Sequence, residues 1–392
     1  MEKKKLLIIT NRFYPDLGGA ETNIFYQAKL LAKTYDVTVV TPLRDNIDLV
    51  ENIDGINIKR FRDYKNRNNF YPNKRANTLC PEVFFEILFG GYDIVQCFPS
   101  LNHNNMIARV ACFIRRIPIV LCVFDMLDYN HILKKTGSIP KDVIFKSKLS
   151  FIRRLFIKSF HQIFSISNNE IKYLKSFNPN VDFSPVPVLL EEYNSTPLDP
   201  REKYNLPKSN FTFFCLGRVS QLKGHDLALK AFVEFSEKYP DTQIAIIGRM
   251  DYSESFLKEY QETIKKKNLG DRIIFTDAVS REEVLGWLHH GDIHIVPVRF
   301  MNSGAVVVET WASKTPVIQS DAVDPNLVVD GKNGFCFTSE DVDDLVKKME
   351  EAYKSKNLKE MANEGRKLVE GKFNYGYLIN LYNQKFTNLI NR

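Results

Sequence analysis

The sequence predicts two α/β domains, each built on a doubly wound parallel sheet, and three observations carry that expectation. Short β-branched runs alternate with helix-length amphipathic segments along the whole chain. The runs are apolar on both faces, as strands covered by helices on each side must be. A proline-rich break near residue 190 separates two such series.

In the first series the strand segments are Lys5–Ile9, Val37–Val40, Ile56–Phe61, Asp93–Gln96, Ile117–Val123 and Gln162–Ser167. In the second they are Phe211–Leu216, Gln243–Ile247, Arg272–Thr276, Ile293–Val298 and Pro316–Gln319. Between the two series stand Pro185, Pro187, Pro197, Pro200 and Pro207 among polar residues, which is linker chemistry. The expected division is therefore a first domain over 1–190, a linker over 191–207 and a second domain over 208–372. No repeat of solenoid period breaks the pattern.

The chain has 392 residues, enough for two cores; 44% hydrophobic and 26% charged residues place it among soluble globular proteins. No stretch approaches the roughly 18–20 apolar residues of a membrane span, and Leu6–Thr10 is too short for a secretory signal core. The expectation is a cytoplasmic protein. The six cysteines form no C-x-x-C pair and read as buried thiols in a reducing compartment, with no metal spacing. His103, His131, His289 and His290 show no triad or metal spacing either.

Net charge is +7, but unevenly shared. Residues 1–190 hold 27 Lys and Arg against 17 Asp and Glu, and the remainder 27 against 30. A basic first half fits an acidic or membrane-surface partner, or simply a solvated basic face. Within it, Phe145, Leu149, Ile152, Phe156 and Phe160 form one helical stripe among Lys148, Arg153, Arg154 and Lys158. The stripe is expected to pack on the sheet; the cations would suit anionic lipid.

Three segments of the second half carry chemistry. Phe211 to Gly224 is a buried strand ending at Gly217, followed by Arg218 and Lys223 around a short loop. Ligands of open α/β sheets bind beyond strand C-termini, and a guanidinium with an ammonium suits a diphosphate. Ile293 to Ala312 is a strand, a loop and a helix starting near Ser303 or Gly304, with Ser303 as the expected N-cap. Its N-terminus would offer amides to a phosphate. Glu309 is the sole charge from Gly304 to Ser313, so it needs a partner: ribose hydroxyls or an internal Arg or Lys. The third segment, Ala245 to Arg249, ends in Gly248 and lets a base lie against the backbone.

In the first half, Tyr14, Pro15, Gly18, Gly19, Ala20 and Glu21 form a loop with a glycine pair at a helix start, where backbone donors can approach a phosphate or an acceptor hydroxyl. It is not the dinucleotide fingerprint, and no P-loop motif occurs, which argues against a dehydrogenase and a P-loop NTPase.

In this order the motifs resemble family 4 of the GT-B-fold glycosyltransferases, two Rossmann-like domains facing across a cleft, over nearly the whole chain. The Tyr14-Pro15 to Glu21 loop is similar to that family's first loop, and Gly217-Arg218 to Lys223-Gly224 to its diphosphate-gripping loop. Gly248 matches the glycine after the next strand. Glu309 matches the second glutamate of a Glu-x7-Glu motif, which in the family binds the donor ribose. Pro316-Val-Ile and Val329 to Phe335 resemble its next strand and turn, and the last helix, 373–392, the tail that crosses back onto the first domain.

The resemblance implies a nucleotide-sugar donor in the second domain and a glycan or lipid-linked acceptor on the first. It further implies transfer with retention of configuration, without metal, cofactor or nucleic acid. Donor contacts fall on Gly217, Gly248, Arg249, Met301, Asn302, Ser303, Gly304, Ala305 and Val306, with Arg218, Lys223 and Glu309 as the catalytic set. Gly18, Gly19, Glu21, Phe124 and Asp125 face the sugar and acceptor.

Two family positions differ, and the asparagine-glycine segment that usually precedes the linker is absent near Pro187-Val188-Leu189. The first motif glutamate is Met301, and the histidine that often precedes Asp125 is Phe124. Both family residues touch hydroxyls of the donated sugar. Either the sugar lacks hydroxyls there, as a 6-deoxy sugar lacks one, or the protein binds a nucleotide sugar without efficient transfer, as an assembly partner would. A nucleotide-sugar epimerase is a third reading, made poorer by the two apolar residues.

Overall fold

The computed structural model describes residues 2–15, 18–44, 47–64, 78–99, 101–124, 151–250, 254–299, 303–324 and 326–392. It divides into two compact units, Met1–Pro185 with Tyr375–Arg392, and Val186–Asn374.

The first unit contains an eight-stranded sheet. Its strands are β1 (Lys5–Ile9), β2 (Asp36–Pro42), β3 (Val50–Ile53), β4 (Ile56–Phe61), β5 (Ile94–Cys97), β6 (Ile119–Val123), β7 (Gln162–Ser165) and β8 (Val181–Phe183), in the order 3-4-2-1-5-6-7-8. All pairs are parallel except β3 with β4. Leu6 to Ile9 of β1 are buried on both faces because helices cover both. Helix α1 (Gly19–Leu31) and the C-terminal helix Tyr375–Ile390 cover one face through Ile24, Leu31, Leu378 and Tyr382. Helices α2 (Glu82–Phe89), α3 (His103–Arg115) and α4 (Phe151–Ser159) cover the other through Val83, Ile87, Ala108, Ala111 and Ile157, followed by α5 (Asn168–Lys175). Tyr382 is fully buried, its hydroxyl 3.0 Å from Ser184 Oγ, so the last helix is part of this core.

The second unit contains a six-stranded, all-parallel sheet: β9 (Phe211–Leu216), β10 (Thr242–Ile247), β11 (Ile273–Phe275), β12 (Ile293–Val296), β13 (Val317–Ser320) and β14 (Phe335–Phe337). The order is 11-10-9-12-13-14, so the winding reverses between β9 and β12. Helices α6 (His225–Lys238), α7 (Glu254–Lys266), α8 (Arg281–His290), α9 (Ala305–Ala312), α10 (Val342–Lys354) and α11 (Leu358–Gly371) surround it.

Three strands escape the sequence pattern. β3 is a half-exposed antiparallel edge reading Val-Glu-Asn-Ile, and β8 and β14 are three-residue edges too short to show periodicity. The expected linker, 191–207, is also no free connector. Leu190–Tyr193 forms a 3-10 turn, and Tyr193 and Leu206 are buried with Trp287 in the second core. The prolines therefore mark a segment that wraps a domain, and the division falls at Pro185.

The stripe expected on the basic helix is corrected as well. Phe145 and Leu149 lie outside the described residues. α4 begins at Phe151 and turns Ile157 inward, with Phe160 buried just beyond it, while Ile152 is 59% exposed. Packing at the helix end sets its phase, so Phe151, Ile152 and Leu155 face solvent.

Candidate donor site

Two loops emerge where the second sheet reverses its winding. The first follows β9. Gly217 and Gly248 end adjacent strands, at φ +129° and +136°, and a Cβ on Gly248 would overlap the Gly217 carbonyl. Glycine at both lets the extensions run side by side, with Gly217 N–H donating to Ile247 O at 3.0 Å and Val219 N–H to Arg249 O at 2.9 Å. Arg218 and Arg249 are thereby brought to the same edge, both exposed.

Residues Gln221–Lys223 form a 3-10 turn that runs into α6 through Gly224. Gly224 sits on Pro297, where any Cβ would overlap the Pro297 carbonyl. Lys223 is half-buried, and burial followed by the charge of Arg218 lowers its pKa. Two cations in mutual repulsion form a site that an anion relieves.

The second loop follows β12. Helix α9 starts at Ala305, and its N-cap is Gly304 with no side-chain cap bond, which corrects the expectation of Ser303. A Cβ on Gly304 would meet the methyl end of the Leu327 side chain. Val308 N–H is bonded to Gly304 O at 2.9 Å, so the amides of Ala305, Val306 and Val307 have no intrahelical carbonyl behind them. Met301 and Asn302 lie outside the described residues.

Glu309, half-buried on α9, has the internal partner that was one of its two expected solutions. Arg281 donates to Glu309 Oε2 at 3.2 Å and to Tyr193 Oη at 2.6 Å, and pairs with Glu192 at 3.1 Å. Burial raises the Glu309 pKa against the pull of Arg281.

Two further residues brace the loops, and the sequence reading missed both. Leu216 N–H donates to His294 Nε2 at 3.2 Å, and His294 Nδ1 lies 2.6 Å from Thr310 Oγ1, whose hydroxyl donates to Val306 O at 2.7 Å. The threonine proton is thus used elsewhere, so Nδ1 carries the ring proton and donates. A fully buried neutral imidazole, stacked on Phe214, ties the end of β9 to α9. Arg299 holds Asp226 through two bonds of 2.7 Å, and its own N–H donates to Leu222 O at 3.0 Å. That clamps the lysine turn to the exit of β12. His294 stands out as the one polar residue of the fully buried β12, but only tertiary contact shows what it joins.

The remaining expected residues belong to the first unit. Gly18 and Gly19 are exposed at the start of α1, and Glu21 turns back to pair with Arg12 at 3.5 Å. Phe124 is half-buried after β6, its ring edge-on to Phe98 with centroids 5.2 Å apart. Asp125 lies outside the described residues. Among the described residues no cluster of three His, Cys, Asp or Glu side chains could hold a metal.

Residues 199–368 match the family model described as glycosyl transferases group 1. An uncharacterized glycosyltransferase of Methanocaldococcus jannaschii is 21% identical over 413 residues, covering 100% of both chains. The GDP-mannose-dependent alpha-(1-6)-phosphatidylinositol monomannoside mannosyltransferase of Mycolicibacterium smegmatis is 26% identical over 186 residues, 44% of this chain and 47% of that one. Among solved structures, Anabaena HepE in complex with UDP and glucose covers 98% of this chain and 100% of its own, with a TM-score of 0.70 and 17% identity. Sucrose-phosphate synthase of Thermosynechococcus elongatus covers 99% of each chain, with a TM-score of 0.75 and 17% identity. With two parallel-sheet α/β units and these neighbours, the fold is that of the GT-B glycosyltransferases; the match to the group 1 glycosyl transferases falls within the second unit, and the chain is a sugar-transferring enzyme.

Proposed function

We propose that the enzyme is a retaining family 4 glycosyltransferase that moves a sugar from a nucleotide diphosphate donor to a glycan or lipid-linked acceptor. The observation that carries the reading is the contact, where the winding of the second sheet reverses, between the loop of Arg218 and Lys223 after β9 and the loop that leads from β12 to the uncapped start of α9: Arg299 N–H donates to Leu222 O at 3.0 Å and Gly224 sits on Pro297. Solved HepE, similar in fold, holds UDP and glucose, and the mannosyltransferase named above uses GDP-mannose on a phosphoinositol lipid.

In this reading the diphosphate sits against the two cations and the amides of Ala305 to Val307, and Glu309 holds the ribose. As the glycosidic bond breaks, negative charge grows on the departing diphosphate, and these donors stabilise it without reorganising. The cations take the role a metal would have. The acceptor hydroxyl attacks from the leaving-group side, which retains configuration without a covalent nucleophile. Phe124 in place of the family's histidine and Met301 in place of its first glutamate favour a sugar short of one hydroxyl, such as a 6-deoxy hexose. The reaction takes place in the cytoplasm, at the membrane face when the acceptor is a lipid.

A thermal-shift screen of UDP-, GDP-, ADP- and dTDP-linked sugars, followed by linkage analysis of the product, tests the reading. One donor class should raise the melting temperature and be consumed. Failure of every nucleotide diphosphate to stabilise the protein refutes it.

A further inference from the structure

Among the described residues of the first unit, only Arg60 buries a positive charge. Along β4 the inward positions are Ile56, Ile58 and Arg60, so a guanidinium stands where the alternation calls for a third aliphatic side chain. That side chain is 1% exposed. An apolar residue of similar volume would cost the fold less, because a buried guanidinium gives up its hydration. The reason for Arg60 therefore lies in what it holds.

It holds three segments at once. Nη2 donates to Glu51 Oε2 of β3 at 2.8 Å and to Tyr14 O at 3.1 Å, and Nη1 donates to Asp48 O at 2.8 Å. Glu51 supplies the compensating charge. Tyr14 is the informative partner. It follows β1, and β2 separates β1 from β4 in the sheet, so the chain leaving β1 crosses the end of β2 to reach the guanidinium. The Tyr14 ring packs on Phe25 of α1 with centroids 5.7 Å apart, and Arg12 pairs with Glu21 at 3.5 Å. These contacts anchor the loop on both flanks of its glycine pair. The pair has little to hold it directly: Gly18 and Gly19 are exposed, and open space surrounds the place of a Cβ on Gly19.

We infer that Arg60 is a positioning residue for sugar transfer, setting where the glycine pair stands by holding the Tyr14 carbonyl. The inference rests on the reading in which this loop meets the sugar and its acceptor. A planar fork of five donors can hold a carboxylate and two carbonyls together; the ammonium of a lysine, a point charge on a flexible stem, cannot reproduce that geometry.

The test compares Arg60→Met, Arg60→Lys and Glu51→Gln with the parent chain, and Gly19→Val tests the loop itself. Hydrogen exchange over residues 10–24, read without any donor, should be at least about tenfold faster in Arg60→Met and intermediate in Arg60→Lys. Glu51→Gln should lower the melting temperature yet leave that exchange near the parent's, because the hold on Tyr14 remains. With UDP-glucose and GDP-mannose as donor probes, kcat for nucleoside diphosphate release should fall at least about tenfold in Arg60→Met. Donor KM should stay within about twofold, since the nucleotide is assigned to the other unit.

Parent exchange over 10–24 in both Arg60 variants overturns the inference, and so does a lower melting temperature with parent kcat. Should Arg60→Met fail to fold, Arg60→Lys decides by the same readouts; should neither probe be consumed by the parent, the exchange decides. A lower kcat in Gly19→Val with parent kcat in the Arg60 variants overturns the inference alone. Parent kcat in Gly19→Val overturns the reading of the loop, and the inference with it.

Discussion

Arg281 donates to Glu309 Oε2 at 3.2 Å while also holding the Tyr193 hydroxyl and Glu192, so the carboxyl group of α9 is aimed by a residue from the start of α8. In Arg281→Ala the half-buried carboxylate loses its compensating charge. We expect a loss of about 1–2 kcal/mol, well below that of a fully buried pair because both side chains meet solvent. Calorimetry should record the lower melting temperature, and donor KM should rise more than kcat falls. Parent values for both would remove Arg281 from the site.

Lys223 and Arg218 contribute little to the core, one half-buried and the other exposed. Lys223→Ala and Arg218→Ala should each lower kcat by about 10²–10³-fold, the range seen when one preorganised donor to a developing anion is lost. Their melting temperatures should match the parent. Unchanged turnover in either variant refutes the diphosphate assignment.

Gly248→Ala forces a side chain onto φ +136° and onto the Gly217 carbonyl. The strain costs about 1–3 kcal/mol and displaces the extension that carries Arg218. Thermal unfolding with and without nucleotide diphosphate should show lower stability and a smaller ligand shift. A ligand shift equal to the parent's would show that the two extensions are independent.

Acid should weaken the second unit through two buried imidazoles. Burial, then the charge of Lys223, pushes the pKa of His225 down to about 4; burial, then His225, pushes that of His294 down to about 3. Between those values and the ordinary pKa near 6.5, the unfolded chain binds protons that the folded chain refuses. Stability is therefore complete above about pH 7 and falls as pH drops from roughly 6.5 toward 3, by a few kcal/mol in all. In His294→Gln the slope of melting temperature against pH should flatten over this range. An unchanged slope would exclude His294 as a source.

Much of the architecture was legible because central strands such as Phe211–Leu216 and Ile119–Val123 are buried on both faces and announce themselves as unbroken apolar runs. Edge strands did not, being short or half-polar. Of the residues proposed to hold the donor, Gly217, Arg218, Lys223 and Glu309 were readable from their position after a strand or on an apolar helix. The braces were not. His294 lies 78 residues from Leu216 and Arg299 73 residues from Asp226, yet each closes on its partner within hydrogen-bond reach.

 The reason is that a hydrogen bond between distant segments leaves no periodic trace in the sequence; it exists only once β9 and β12 lie side by side.

The sequence by itself determined the alternation of strand and helix, the two-domain composition and the cationic character of the loop after β9, since these follow from local pattern and residue type. Tertiary structure alone decided the rest. It chose Gly304 over Ser303 as the cap, turned Ile157 rather than Ile152 toward the sheet, and gave Glu309 to Arg281. Each of those outcomes depends on which neighbour occupies the adjoining space, a quantity set by packing between segments and not by the segment itself.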